Sequence, residues 1–217
     1  MLALSRIISF FALWILRREW KKLRVQLAKL HRSYVGVDRF RPTSLAQRML
    51  ILGEDHRFFS HGGIDPIAIC RAIWRGVFLG KPEGASTIEM QIIRVVSERY
   101  ERTLRRKIRE IGLATLVCRE VPKEALPALY LRIGYFGWRM NGYEAACRRL
   151  GVSPEELTAN EAARLVARLK YPQPRFTGLK RWNQINVRAE HLLRLHSVRK
   201  YGQTYIGLAK ESPYESV

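Results

Sequence analysis

From residue 86 to residue 111 the chain runs without a glycine or a proline, opening on Ser86-Thr87. Hydroxyl side chains at the start and no breaker inside describe one or two helices. The same signals recur elsewhere. Asp65-Pro66 reads as an N-cap with a first-turn proline. Ile67, Cys70, Ile73, Trp74 and Val77 follow at three- and four-residue spacing. Pro42-Thr43 precedes an apolar run over residues 45–52 that ends at Gly53, and residues 123–133 keep helical spacing despite Pro127. Ser153-Pro154-Glu155-Glu156 reads as a further helix start and Thr158-Ala159-Asn160-Glu161 as a capping box. Pro172 and Pro174 close that helix, and residues 183–195 carry a last one. Residues 80–84 and the aromatic, glycine-rich stretch 134–142 read as loops. With no alternating run long enough for a sheet, the expected fold is all-α, and 217 residues allow one domain with an appendage.

The three cysteines, Cys70, Cys118 and Cys147, are far apart and form no C-x-x-C pair, which excludes a disulfide scaffold or a cysteine zinc site. Lys and Arg number 39 against 19 Asp and Glu, a net charge of +20. Such an excess favours an anionic partner: nucleic acid, membrane phosphate or a phosphorylated substrate. Charge alone does not choose among them.

The amino terminus narrows the choice. Residues 1–16 are apolar except for Ser5, Arg6 and Ser9, and the run after Arg6 is about half of the roughly 20 residues that cross a bilayer. No small-residue cleavage site follows, which argues against a removed signal peptide. Residues 17–32 carry seven Lys or Arg, with Trp20, Leu23, Leu27 and Leu30 at helical spacing between them. A basic amphipathic helix of this kind suits an anionic membrane surface; it also suits a helix packed on the domain. A true span with this basic flank would place the rest of the chain on the cytoplasmic side. The expected organisation is a membrane-associating segment at 1–34, a domain at 35–199 and a tail at 200–217.

Three segments concentrate chemistry. Residues 54–65 crowd Glu54, Asp55, His56, Phe58, Phe59, His61 and Asp65 around two glycines. A carboxylate beside aromatic rings is partly desolvated, which suits a general base; Glu54 could equally sit in an ion pair with one of many cations. His56 and His61 lack the H-E-x-x-H spacing of a metal site. Gly84-Ala85-Ser86-Thr87 begins a helix with hydroxyls and free backbone N–H groups, which suits phosphate or a plain cap. On a continuous helix, Gln91, Arg94, Glu98, Arg102, Arg106 and Glu110 would share one face beside Lys107. That face is either solvated or holds a pyrophosphate next to a carboxylate.

Together the segments resemble the peptidoglycan glycosyltransferases, found as monofunctional enzymes and as the transferase half of class A penicillin-binding proteins. The pattern E-D-x-x-F-x-x-H-x-G-x-D matches Glu54, Asp55, Phe58, His61, Gly63 and Asp65. G-x-S-T-x-x-x-Q matches Gly84, Ser86, Thr87 and Gln91, and R-K-x-x-E matches Arg106, Lys107 and Glu110. A fourth block runs through Tyr130, Tyr135-Phe136-Gly137 and Gly142, and a weaker fifth covers Asn186 and Arg188. The likeness spans about residues 40–195. Met90 stands where the family has glutamine, Arg94 where it has lysine and Arg132 where it has asparagine.

The resemblance implies a lysozyme-like helical fold and polymerisation of lipid II into β-1,4 glycan strands, with inversion and release of undecaprenyl pyrophosphate. It implies Glu54 as the base and Glu110 as the second essential acid. Asp55, Phe58, His61, Ser86, Thr87, Gln91, Arg94, Arg102, Arg106 and Lys107 would serve the substrate. It requires no cofactor, though it allows Mg or Mn as a helper. The implied partners are lipid II, the growing glycan strand, an anionic membrane surface and transpeptidases or other cell-wall enzymes, not nucleic acid. The implied place is the outer, periplasmic face of a bacterial cytoplasmic membrane, opposite to the side that the basic flank predicts for a span. With no later domain in the sequence, a monofunctional enzyme is expected, its crosslinking supplied elsewhere. The alternatives are a lysozyme-like glycan hydrolase or lytic enzyme, and a non-catalytic relative.

Overall fold

The computed structural model describes residues 2–35, 42–80 and 84–202. The centre of the expected loop at 80–84 and most of the tail at 200–217 lie outside them. The elements are α1 (Leu2–Ile15), α2 (Arg17–Val35), α3 (Ser44–Glu54), α4 (Pro66–Leu79), α5 (Ile88–Val96), α6 (Leu104–Glu120), α7 (Leu126–Ile133), β1 (Tyr135–Gly137), β2 (Met140–Asn141), α8 (Tyr143–Leu150), α9 (Ala159–Lys170) and α10 (Leu179–Gly202). The mainly helical expectation holds.

Sequence signals fix many helix ends. Asp65 caps α4 by accepting from the N–H groups of Ile67 and Ala68, with Pro66 in the first turn. Thr158 and Glu161 form the capping box of α9. Thr87 caps α5 and Thr103 caps α6; such a cap is worth about 1 kcal/mol. Between the helices one core collects Met49 and Leu50 from α3, Ile92 from α5, Leu116 from α6, Leu129 from α7, Val166 from α9 and Leu192 from α10. Each such side chain contributes roughly 1.5–3 kcal/mol on burial.

Three local expectations change. The face from Gln91 to Glu110 is not one helix: α5 ends at Val96, Glu98 adopts φ 52°, and α6 starts at Leu104. Ser153 accepts from the N–H groups of Glu155 and Glu156, yet no helix continues from it. The stretch read as a loop at 134–142 contains the antiparallel β1–β2 hairpin, turned through Trp138 and Arg139, with Arg139 at φ 58°.

The amino-terminal helices pack on the domain. Trp20, Leu23 and Leu27 of α2 lie in the main core, so the apolar stripe read from the sequence faces inward. Ion pairs Arg24–Glu120 and Arg109–Glu19 tie α2 to α6. Ala12 of α1 is buried close to Gly112 of α6, and Ser5 donates to the carbonyl of Gly62. The outer side of α1 exposes Phe10, Phe11, Trp14 and Ile15. No helix among the described residues is long and apolar enough to cross a membrane. The apolar positions of α4 also face outward: Ile67, Ile73, Trp74 and Val77 are all at least half exposed.

Gly63 fixes the loop before α4. Its φ is 99°, and a Cβ there would come within 2.4 Å of the Ala114 carbonyl oxygen. Gly63→Ala is therefore expected to lower stability by about 2 kcal/mol or more, read as a reduced urea midpoint at unchanged slope.

Candidate functional site

Helix α3 ends at Glu54, which places its carboxylate on the wall of a cleft of about 830 Å³. The Glu54 side chain is 16% exposed, so it reaches the open space while remaining held. Oε2 accepts from Gln91 Nε2 at 3.2 Å, and Oε1 from Arg188 Nη2 at 3.0 Å. Gln91 Oε1 in turn accepts from the Tyr130 hydroxyl. Burial raises the Tyr130 pKa and keeps it a neutral donor. Glu54 is thus oriented by a chain that begins in the core.

Ser86, Gln91 and Arg94 also line the cleft, Arg71, Arg75, Lys170 and Arg188 make it cationic, and His191, whose pKa burial lowers, adds an imidazole. Lys107 Nζ donates to Ser86 Oγ at 2.8 Å. Arg94 grips Glu110 with two bonds, Nε to Oε1 at 2.9 Å and Nη2 to Oε2 at 3.0 Å. Arg106 donates to the same Glu110 Oε1. Glu110 is 2% exposed. Its carboxylate holds two guanidiniums beside the cleft, and its hydrogen bond raises the Arg94 pKa. Burial lowers the Lys107 pKa, the neighbouring guanidiniums lower it further, and Glu110 opposes both.

The other candidates frame this arrangement. Asp55 and His61 are buried and bonded to each other, with His61 Nε2 at 3.0 Å from Asp55 Oδ1. Asp55 also accepts from the Ile88 N–H, which anchors the start of α5. Burial raises the Asp55 pKa, and His61 works against that shift. Phe58 is fully buried, with Lys123 Nζ 4.1 Å from its ring centroid. Thr87 is buried and donates to the Gly63 carbonyl at 2.8 Å. Arg102 lies exposed in the connection between α5 and α6, off the helical face that carries Arg106 and Glu110. Met90, at the position where an amide was expected, is wholly buried, and its sulfur receives a 3.7 Å contact from Lys107 Nζ.

Several residues of the site carry no strong sequence signal. Arg188 belongs to the weak fifth block, and its partner lies 134 positions away. The buried Glu89 and the half-buried Lys123 form an ion pair at 2.6 Å, and Lys123 also donates to the His61 carbonyl. Asp55, His61 and Glu89 bring their ligand atoms within 4.8 Å of one another. Mg and Mn favour oxygen ligands with room for several waters. This trio is buried, Asp55 and His61 already bond each other, and the Lys123 ammonium supplies the balancing charge. Both oxygens of Glu110 are occupied by guanidiniums. Neither set fits such an ion.

A helical domain whose cleft pairs one held carboxylate with hydroxyl, amide and guanidinium groups has the make-up of the lysozyme-like domain expected from the resemblance. A family model described as transglycosylase matches residues 21–196, and the chain belongs to that family, the peptidoglycan glycosyltransferases. It is 36% identical over 153 residues to penicillin-binding protein 1A of Escherichia coli K12, covering 70% of this chain and 18% of that protein. It is 38% identical over 143 residues to penicillin-binding protein 1A of Aquifex aeolicus, covering 65% of this chain and 19% of that protein. It is 35% identical over 147 residues to the biosynthetic peptidoglycan transglycosylase of Rhodospirillum centenum, covering 67% of this chain and 62% of that protein. The chain thus spans about a fifth of the length of the two penicillin-binding proteins.

Proposed function

We propose that the domain polymerises lipid II into β-1,4 glycan strands, inverting the anomeric carbon and releasing undecaprenyl pyrophosphate. The observation that carries this reading is the position of Glu54, held by Gln91 and Arg188 on the wall of the cationic cleft. A sugar hydroxyl is a weak nucleophile at neutral pH, so a positioned carboxylate that removes its proton as the bond forms lowers the barrier. Glu54 takes the proton of the acceptor 4-hydroxyl, whose oxygen attacks the donor's anomeric carbon. The bond from that carbon to the pyrophosphate oxygen breaks, and its electron pair leaves with the diphosphate. Fixed cations favour the charge that grows there. Arg94, kept in place by Glu110, and Lys107 beside Ser86 fill that role. No step is routed through a divalent ion.

A hydrolase would need a second carboxylate facing the scissile bond. Glu110 is buried beneath Arg94 and Arg106, which favours transfer over hydrolysis. A lipid-linked substrate stays in its bilayer, so the domain would work at a membrane surface, on the outer face. The exposed aromatic side chains of α1 support contact with a membrane surface. The test is incubation of purified protein with labelled lipid II, followed by sizing of the products before and after muramidase. Muramidase-sensitive polymer is expected; release of short products from preformed glycan, without lipid II consumption, would replace transferase by hydrolase.

Lys107 offers a check with opposite signs in its two readouts. Its pKa lies below the ordinary lysine value, so its contribution to stability is present above that value and lost as pH falls through the lowered pKa. At pH 7.5, well below the ordinary lysine value, this lowering costs folding energy. Lys107→Met is expected to leave the melting temperature at pH 7.5 equal or higher while slowing lipid II consumption, measured on the same preparation.

A further inference from the structure

Outside the cleft, three guanidiniums gather on one indole. Arg139, Arg149 and Arg175 lie 4.5, 4.5 and 5.3 Å from the Trp138 ring centroid. They come from three elements: the β1–β2 turn, the end of α8 and the loop after α9. Stacking on a ring uses the face of a guanidinium and leaves its in-plane N–H donors available. None of these three side chains donates to an acid or a carbonyl among the described residues. Three like charges are therefore held together with their donors unspent.

The platform under them is built. The Trp138 N–H donates to the Gln173 carbonyl at 2.8 Å, and the Gln173 N–H to the Phe136 carbonyl at 3.0 Å. Gln173 Oε1 accepts from the buried Arg168 at 2.8 Å. Arg139 itself adopts φ 58°, a left-handed conformation that favours glycine or asparagine. An arginine kept there points to use of its side chain.

The cluster also connects with the cleft. Lys170 lines the cleft wall and sits 5.9 Å from the Tyr171 ring, which Arg181 approaches at 6.0 Å. From Tyr171 the chain runs through Gln173 to Arg175, so rings and cations alternate from the cleft edge to Trp138. Guanidiniums pair with carboxylates in two-pronged fashion. A glycan bearing peptide stems offers carboxylates at each repeat. Exposed aromatic and aliphatic side chains gather on α1 and α4, and Phe176, 5.2 Å from Arg175, adds one exposed ring beside the cluster.

We infer that Trp138 with Arg139, Arg149 and Arg175 is an exit track, which binds the carboxylate-bearing glycan strand beyond the cleft. The inference rests on the polymerase reading in naming the strand as product. The experiment compares the full chain with its Arg139→Gln/Arg149→Gln/Arg175→Gln variant, both with confirmed circular dichroism. The probes are fluorescent uncrosslinked glycan strands with their peptides, the same strands stripped of peptides, and phosphatidylglycerol–phosphatidylcholine vesicles. Loss of three exposed charge pairs is expected to weaken binding of the peptide-bearing strands about tenfold. Vesicle binding and binding of stripped strands should stay within about twofold. During polymerisation of lipid II, the variant should release shorter strands at equal consumption. Equal affinity of the two proteins for peptide-bearing strands would overturn the inference. So would a loss confined to vesicles, which would make the cluster a lipid-headgroup site. The strands are supplied ready-made, so a wild-type protein that binds them but polymerises no lipid II refutes the proposed reaction and leaves the track in place.

Discussion

Glu54→Gln is expected to abolish polymer formation from lipid II while leaving the melting temperature within a few degrees of wild type. The substitution keeps the volume and one acceptor oxygen, which can still bond Arg188 while the new amide group faces Gln91. It removes the ability to take a proton, together with the charge and one acceptor. General-base catalysis contributes about 10²- to 10⁴-fold, so polymerisation should fall by that factor. The weakened bond to Arg188 costs about 1 kcal/mol. For a chain of this size that is roughly 2–4 °C. Quantified strand synthesis on one preparation, with calorimetry on the same sample, reads both. Synthesis at the wild-type rate would remove Glu54 as the base; a collapse of the melting temperature would mean that its role is structural.

Glu110→Gln should act on both quantities. Glu110 is nearly inaccessible and neutralises Arg94 and Arg106 together. Removing one partner of a buried ion pair strands the other charge and costs about 3 kcal/mol or more. That corresponds to a fall of roughly 6–12 °C in melting temperature. Activity should fall as well, because Arg94 is no longer held at the cleft. The affinity for the pyrophosphate donor should weaken. An inactive variant with an unchanged melting temperature would instead make Glu110 a group that meets the substrate directly.

Much of this arrangement was legible in the sequence, and the failures have physical causes. Caps write themselves locally: Asp65-Pro66 and the Thr158–Glu161 box are satisfied by atoms within three residues. Ser153 made the same local bonds, but a cap starts a helix only if the following turn can pack, and none followed. The break between α5 and α6 has no glycine or proline to announce it. It rests on a left-handed glutamate, Glu98, and on the capping hydroxyl of Thr103, the one cue available. The hairpin was missed because Trp138-Arg139 is not the Asn-Gly or Asp-Gly pair that marks a two-residue turn. Within the site, Glu54, Ser86, Gln91, Arg94 and Glu110 could be picked out by pattern. The burial of Phe58, His61 and Thr87 could not, since tertiary packing decides which members of one segment face the cleft. Arg188 and Lys123 reach the segment from distant elements, and no spacing rule connects them to it.

The inward face of α2 makes the amino-terminal region inseparable from the rest. Shortening the chain to begin at residue 35, a common step when such a segment is regarded as a detachable tether, would remove Trp20, Leu23 and Leu27 from the interior and unpair Arg109 and Glu120. What remained would carry a trough along α5, α6 and α7 open to water, prone to self-association. The amino-terminal pair of helices is also a wall of the domain, so any displacement of α1 or α2 is passed directly to α6, the helix bearing Glu110.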